Sequence, residues 1–300
     1  MKIIMIDSFK PEYLEHTRFL KSLTEKKEWG ELEMPLGFEG GMRTFFYGKN
    51  DMLAFFYKSE NSKLKWTKKF WWMGRFPLEV LINLKRLVER KRLFRTGNIP
   101  LKKLHEFDTE IGKPFEKIKG VEYLYIGKLD KIAHKYGTKS RETINAIKEI
   151  DNLVSKLKSD IILSDHGMID IKKIISVPKT KNCFIDSTFA RYWGEKPNFN
   201  SSEGKWIELK DKRYGEYIFL ANPGVLIIPN YWQDNIPVRA MHGYSPKCKE
   251  MNAIYILNRE GKKKNIKAIE LNKIFRDMLK NDRTGSSAQI KIRENFHNGK

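Results

Sequence analysis

Residues 160–168 read DIILSDHGM, an apolar run that ends in an acid, a histidine and a glycine. The run has the continuous apolar character of a parallel strand that is buried on both faces. Asp165 and His166 follow it directly, so the strand would deliver a carboxylate and an imidazole to the edge of a sheet. The stretch is therefore either a strand with an ordinary turn or a strand that carries two metal ligands. The choice depends on the partners that other segments supply.

Strands and helices alternate in the chain before this stretch. KIIMID at 2–7 and VEYLYIGKLD at 121–130 are predicted strands, each of which ends in a polar residue. PEYLEHTRFLKSL at 11–23 is a predicted helix, and SRETINAIKEIDNLVSKL at 140–157 is a second one with Ser140 as its N-cap. This order predicts an α/β sheet with parallel strands. Ligands of such sheets bind beyond the carboxyl ends of the strands.

The chain after residue 170 is predicted to be mostly β structure, with a short final helix NKIFRDMLK at 272–280. We expect one catalytic domain over 1–282 and a flexible polar tail at 283–300. The predicted strands of this half are contained in KNCFIDSTFARYW (181–193), YIFLANPGVLIIPNYW (217–232) and NAIYILN (252–258).

The 300 residues carry a net charge of +21 with a pI near 9.7, which favours an anionic partner. Phosphorylated substrates, nucleic acid and an acidic membrane surface all satisfy this charge. The two cysteines, Cys183 and Cys248, have no metal-ligand spacing and indicate neither a disulfide framework nor a thiolate zinc site. The apolar run before Asp7 is too short for a signal peptide, so we expect a cytoplasmic protein.

A basic, aromatic segment at 57–100 is predicted to be an insertion in this domain. Residues 58–95 contain 12 Lys or Arg against 3 Glu, a net charge of +9, interleaved with aromatic residues. An amphipathic helix here would either pack on the main domain or make a peripheral contact with anionic membrane. No specific nucleic-acid recognition motif accompanies the cations.

Acids and histidines follow several predicted strands or stand in loops. Each alone is weak evidence, because an acid at a strand end is often a helix cap and a lone histidine is often a surface residue. Asp130 and His134 are four residues apart, which places them on one side of a helical turn. Taken together, these residues are much stronger evidence of a shared site than each is alone. The six residues are Asp7, Asp130, His134, Asp165, His166 and His242.

Four segments together resemble the type I phosphodiesterase/nucleotide pyrophosphatase branch of the alkaline phosphatase superfamily. They are IIMIDSFKPEYL (3–14), YLYIGKLDKIAHKYGTKS (123–140), IILSDHGM (161–168) and MHGYSP (241–246). The resemblance implies an α/β fold with an alkaline-phosphatase-like core and a mostly parallel central sheet flanked by helices. The basic segment at 57–100 would be a helical insertion in this fold.

The resemblance also implies two divalent metal ions, Zn²⁺ or alternatively Mn²⁺. Asp130, His134 and His242 would hold one ion, and Asp7, Asp165 and His166 would hold the other. Oxygen and nitrogen ligands without thiolate suit either metal, and two adjacent ions can clamp a phosphate.

The expected nucleophile is where the chain departs from this family. Relatives use a Ser or Thr, whereas MPLGFEGGMRTFFYG at 34–48 has Glu39 at that place, with Thr44 as a further catalytic candidate. Glu39 would be an additional metal ligand beside an attacking water, would attack phosphorus itself, or would mark the loss of hydrolysis.

Three functions follow as hypotheses from these residues. The first is a metal-dependent phosphodiester or pyrophosphate hydrolase acting on a phosphorylated small molecule. The second is a catalytically altered or silent phosphate-binding protein. The third is a phospho-group transferase acting on a glycan, lipid-linked or polyanionic substrate.

Overall fold

The structure is a computed structural model. It describes residues 1–37, 44–46, 48, 118, 120–208, 212–231, 233, 235 and 237–283. The predicted insertion at 57–100 and Glu39 lie outside these residues, as does the predicted tail after its first residue. None of the helices in the described part of the chain has the length and apolar character needed to cross a lipid bilayer.

A six-stranded sheet forms the centre of the described chain. Its spatial order is β14 (Ile266–Lys267), β2 (Lys27–Glu33), β13 (Ala253–Glu260), β4 (Ile161–Leu163), β1 (Lys2–Ile6) and β3 (Glu122–Ile126). Strand β1 is parallel to both β3 and β4, and β14 is parallel to β2. Strand β13 is antiparallel to its two neighbours. The predicted α/β class with a mostly parallel central sheet is confirmed.

Helices cover both faces of this sheet. They are α1 (Phe19–Thr24), α2 (Lys128–Tyr136), α3 (Arg141–Val154) and α4 (Ala268–Arg283), with a 3-10 helix at Pro11–His16 before α1. Ile3 of β1 packs in one core cluster with Phe275 of α4, whereas Ile4 packs in a second cluster with Ile147 of α3. Burial on both faces is the physical reason why β1 reads as a continuous apolar run.

Smaller sheets lie beside the central one. An antiparallel sheet has the order β7 (Cys183–Ile185), β8 (Phe189–Tyr192), β10 (Tyr217–Ala221) and β9 (Gly204–Glu208). Two further pairs are β5 (Ile169–Asp170) with β12 (Ala240–Met241), and β6 (Lys173–Ile175) with β11 (Val225–Ile227). Short 3-10 helices occupy Lys212–Tyr214 and Lys249–Met251.

The helix predicted at 11–23 is wrong as one element, because the structure divides it into the 3-10 helix and α1. Thr17 has an extended backbone between the two, and its hydroxyl donates to Leu14 O at 2.8 Å. The strand predicted at 121–130 is also too long, since β3 ends at Ile126 and Asp130 lies in α2. In contrast, α3 begins as predicted, with the Ser140 side chain accepting from the N–H of Thr143.

Strand β2 was not predicted, because charged residues dominate KEWGELE. It nevertheless pairs with β13 on one side and β14 on the other. Gly30 makes this position possible, since a Cβ there would lie 2.0 Å from Lys264 O. Tertiary packing has therefore overridden a weak local strand preference.

The start of α1 depends on a carboxylate from a different helix. Asp151 of α3, a buried residue, accepts hydrogen bonds from the N–H groups of Arg18, Phe19 and Leu20 at 2.8, 3.0 and 2.9 Å. A helix start leaves such N–H groups without partners in the helix itself. Asp151 therefore joins two helices that pack on the same face of the sheet.

We predict that Asp151→Ala lowers the free energy of unfolding by about 2–4 kcal/mol, because three N–H groups lose their acceptor. Asp151→Asn keeps one acceptor oxygen and should lose roughly half as much. Equilibrium urea denaturation, followed by circular dichroism, measures both changes. A loss below about 0.5 kcal/mol for the alanine variant would contradict this role.

Candidate metal centre

The parallel strands bring three acids to one edge of the central sheet. Asp7 directly follows β1, Asp130 lies in the first turn of α2 just after β3, and Asp165 follows β4 by two residues. Because β1 runs parallel to both neighbours, the carboxyl ends of the three strands meet at this edge. The structure therefore gathers residues that are far apart in the sequence.

A first group of possible ligands consists of Asp7, Asp165 and His166. One ligand atom from each lies within 4.8 Å of the others. His166 Nε2 is 3.5 Å from Asp7 Oδ1 and 3.5 Å from Asp165 Oδ2. This group matches the second set of ligands that the sequence predicted.

A second group consists of Asp130, His166 and His242, again within 4.8 Å of one another. His242 Nε2 lies 3.9 Å from Asp130 Oδ1. The rings of His166 and His242 stack with their centroids 3.8 Å apart and 11° between their planes. His166 thus adjoins both groups, which was not expected from the sequence.

His134 lies beside this second group. Its Nε2 is 3.2 Å from Asp130 Oδ1, and its ring centroid is 5.2 Å from that of His242. The other ring nitrogen, Nδ1, is 2.7 Å from Ala240 O and therefore donates to it. The backbone N–H of Arg239 donates to His134 O at 2.7 Å, which ties α2 to the strand that precedes His242. All six predicted ligands are consequently brought to one place.

Further contacts orient two of these side chains. The Tyr125 hydroxyl of β3 donates to Asp7 Oδ2. His166 Nδ1 lies 3.0 Å from Gly167 O and donates to it, which leaves Nε2 facing the acids. Gly167 is required at its position, because a Cβ there would lie 1.9 Å from Glu250 O.

Burial and neighbouring charge shift the pKa values of four of these groups. Burial raises the pKa of Asp7 well above its usual range, and the charges of Asp165 and Asp130 raise it further. Burial also opposes ionisation of Asp130, but hydrogen bonding and charge from the nearby histidines, His134 first, lower its pKa overall.

The two histidines shift in opposite directions. Burial acts to lower the pKa of His134, but Asp130 stabilises the protonated ring and the pKa rises. Burial, followed by the charge of His166, holds the pKa of His242 well below its usual range. A cation among the acids would reverse the penalty on their ionisation, and a neutral imidazole is the form that binds metals.

Sequence reasoning missed two residues at this edge, Ser8 and Tyr125. The Ser8 hydroxyl lies among the candidate ligands, and the Tyr125 ring is partly exposed while its hydroxyl contacts Asp7. Tyr125 stands within the quoted strand motif, but nothing in a single sequence distinguishes it from a packing residue. Ser8 had no signal beyond its position after Asp7.

Of the two catalytic candidates, Thr44 lies within the described residues and Glu39 does not. Thr44 lies fully buried in a helical turn at 44–46, whose carbonyl groups at Phe45 and Phe46 accept from Asn272 and Arg276 of α4. Its role stays a prediction. Glu39 lies outside the described residues, so its relation to the acids stays a prediction as well.

Comparison with known proteins supports the family resemblance seen in the sequence. The family model described as type I phosphodiesterase / nucleotide pyrophosphatase matches residues 55–194. None of the curated protein sequences matches the chain significantly. The predicted resemblance to the type I phosphodiesterase/nucleotide pyrophosphatase branch of the alkaline phosphatase superfamily is therefore confirmed.

Solved structures of one particular protein of this class share the fold. Murine ectonucleotide pyrophosphatase / phosphodiesterase 5 is similar with a TM-score of 0.62 at 13% identity, over 98% of this chain and 97% of that chain. An inactive threonine-to-alanine form of it in complex with AMP gives the same values. The human protein has a TM-score of 0.62 at 14% identity, over 100% of this chain and 97% of its own. The fold is alkaline-phosphatase-like.

We predict that Asp7→Asn stabilises the metal-free protein by an amount of order 1 kcal/mol, because it removes a buried carboxyl group whose ionisation is opposed by burial and by the charges of Asp165 and Asp130. The asparagine oxygen can still accept from Tyr125. Thermal unfolding in EDTA measures the effect, with Asp277→Asn, an exposed acid of α4, as the matched control.

Added Zn²⁺ should then raise the unfolding temperature of the wild-type protein by more than that of Asp7→Asn, because the variant keeps only the ligand group that contains Asp130 intact. An Asp7→Asn protein that is less stable than wild type in EDTA would contradict the electrostatic account.

Proposed function

We propose that this protein is a metal-dependent phosphoric ester hydrolase that acts on phosphodiesters or pyrophosphates through two metal ions. One observation carries the proposal: the first group of possible ligands, which contains Asp7, and the second group, which contains Asp130, lie together at one edge of the sheet. The match to type I phosphodiesterases supports the same reaction class.

The donor atoms fit divalent metals. In the described part of the chain both groups offer carboxylate oxygen and imidazole nitrogen and include no cysteine, which suits Zn²⁺ or Mn²⁺. Asp7, Asp165 and His166 would hold one ion, and Asp130, His134 and His242 the other. Two bound ions would supply Lewis-acid stabilisation of charge on phosphate oxygens.

Surrounding hydrogen bonds hold the ligand side chains in place. The contact from His134 Nδ1 to Ala240 O leaves Nε2 directed at Asp130. The contact from Tyr125 to Asp7 Oδ2 leaves Oδ1 on the side of His166. Such partners keep ligands oriented before a metal or substrate arrives, and their loss commonly reduces affinity or activity by about 10–100-fold.

A nucleotide-type phosphate ester is the substrate class that we favour. The murine relative has been solved with AMP, and the net charge of +21 would attract an anionic substrate. The nucleophile is the point at which this chain differs, because Glu39 stands where relatives have Ser or Thr. The form of the murine protein that was solved with AMP is inactive and carries a threonine-to-alanine change.

We predict that protein stripped with EDTA and reloaded with Zn²⁺ or Mn²⁺ hydrolyses an aryl phosphodiester. His242→Ala should lower kcat/KM by about 100-fold or more, since it removes a ligand. His16→Ala is the matched control, because His16 lies in the 3-10 helix, pairs with the exposed Glu15 and belongs to neither ligand group. Equal values of kcat/KM for wild type and His242→Ala would contradict the proposal.

The alternative of a silent phosphate-binding protein is favoured by Glu39 itself. Under this alternative, wild type binds metal and inorganic phosphate without turnover, and Glu39→Ser restores a hydroxyl nucleophile and gains hydrolysis. If Glu39 instead binds metal or attacks phosphorus, the same substitution lowers an existing rate. Glu33→Ser, at the exposed end of β2, is the control. Absence of hydrolysis in both wild type and Glu39→Ser would contradict the simple form of this alternative.

A further inference from the structure

Ser8 occupies an unusual position between the two ligand groups. It directly follows Asp7 at the end of β1 and is fully buried. Its φ is 61°, and in the described part of the chain it is the one residue other than glycine with a positive φ. A non-glycine residue in this region carries a backbone cost, so other contacts must hold it there.

The contacts that hold Ser8 are to the candidate ligands themselves. Its Oγ lies 2.7 Å from Asp130 Oδ1, 3.2 Å from His166 Nδ1 and 3.5 Å from Asp7 Oδ1. Its backbone N–H donates to Asp165 Oδ1 at 3.2 Å. Ser8 thus contacts members of both groups. Its hydroxyl and its backbone N–H both face candidate ligands.

The chemistry of a hydroxyl decides which contacts it makes. A hydroxyl has one hydrogen and two acceptor lone pairs. The shortest contact, to Asp130 Oδ1, takes the hydrogen, because a carboxylate can only accept. The oxygen can then accept from His166 Nδ1, whose N–H also faces Gly167 O. This polarity keeps His166 Nε2 free to face Asp7 and Asp165.

We propose that Ser8 is a positioning residue that links the two metal sites, so that its hydroxyl couples the binding of the two ions. The link runs from His166 through Ser8 to Asp130 and sets the separation of the two groups. The inference rests on the proposed two-metal function. A role for Ser8 as nucleophile is disfavoured, because its full burial keeps a substrate phosphorus away from Oγ.

The experiment compares Ser8→Ala and Ser8→Gly with wild type. Both variants lack the hydroxyl, but glycine adopts a φ of 61° without strain, so the pair separates the hydroxyl from the backbone conformation. Thr17→Val is the matched control, since it removes a buried hydroxyl that donates only to Leu14 O. Calorimetric titration of EDTA-stripped protein with Zn²⁺ gives the number of ions bound and their affinities. Electron paramagnetic resonance of the Mn²⁺-loaded protein reports magnetic coupling between adjacent ions.

We expect wild type and Thr17→Val to bind two ions and to give a coupled Mn²⁺ signal. Ser8→Ala and Ser8→Gly should both bind the second ion at least about 10-fold more weakly and lose the coupled signal. Two ions bound with unchanged affinities in both Ser8 variants would overturn this inference and leave the proposed function intact. If Ser8→Gly binds both ions as tightly as wild type does while Ser8→Ala does not, the backbone conformation and not the hydroxyl is responsible, which would also overturn the inference. Fewer than two ions in wild type would overturn both proposals.

Discussion

Parallel pairing of β1 with both β3 and β4 is the constraint on which the candidate site depends. This pairing brings the segments that follow the three strands to one edge of the sheet. Asp7, Asp130 and Asp165 lie in these segments. Gathering three acids in a largely buried place costs free energy, as the raised pKa of Asp7 indicates. The sheet can hold them because apolar residues bury both of its faces. The free energy gained by burying apolar residues therefore offsets the cost of an arrangement that the acids alone would not adopt.

Much of the fold could be predicted wherever one local pattern was strong. The apolar run of β1 and the helical spacing of α3, with Ser140 as cap, left little ambiguity. Elements controlled by distant contacts were not predictable. The start of α1 depends on Asp151, which lies more than a hundred residues away in the chain. Strand β2 exists because Gly30 permits close packing against Lys264, a contact that no local pattern encodes.

In the candidate site, too, the residues with a local pattern could be predicted and those that depend on distant contacts could not. Residue types suited to metals, placed after predicted strands, were sufficient to identify six side chains that the fold gathers. The partners that orient them were not identifiable, since Ser8 and Tyr125 acquire their significance only from which atoms they meet. The contribution of His166 to both groups was likewise hidden, because ring stacking on His242 depends on tertiary geometry.

The interior position of β1 also affects when the protein can assemble. The first strand of the chain lies between residues 122–126 and 161–163, so both of its neighbours are made long after it. At roughly 5–20 residues per second, a growing chain would carry this apolar strand for about 8–30 seconds before both neighbours exist. His242 emerges later still. The candidate metal site is thus complete only after residue 242 has been made, and β1 needs protection from aggregation until its neighbouring strands exist.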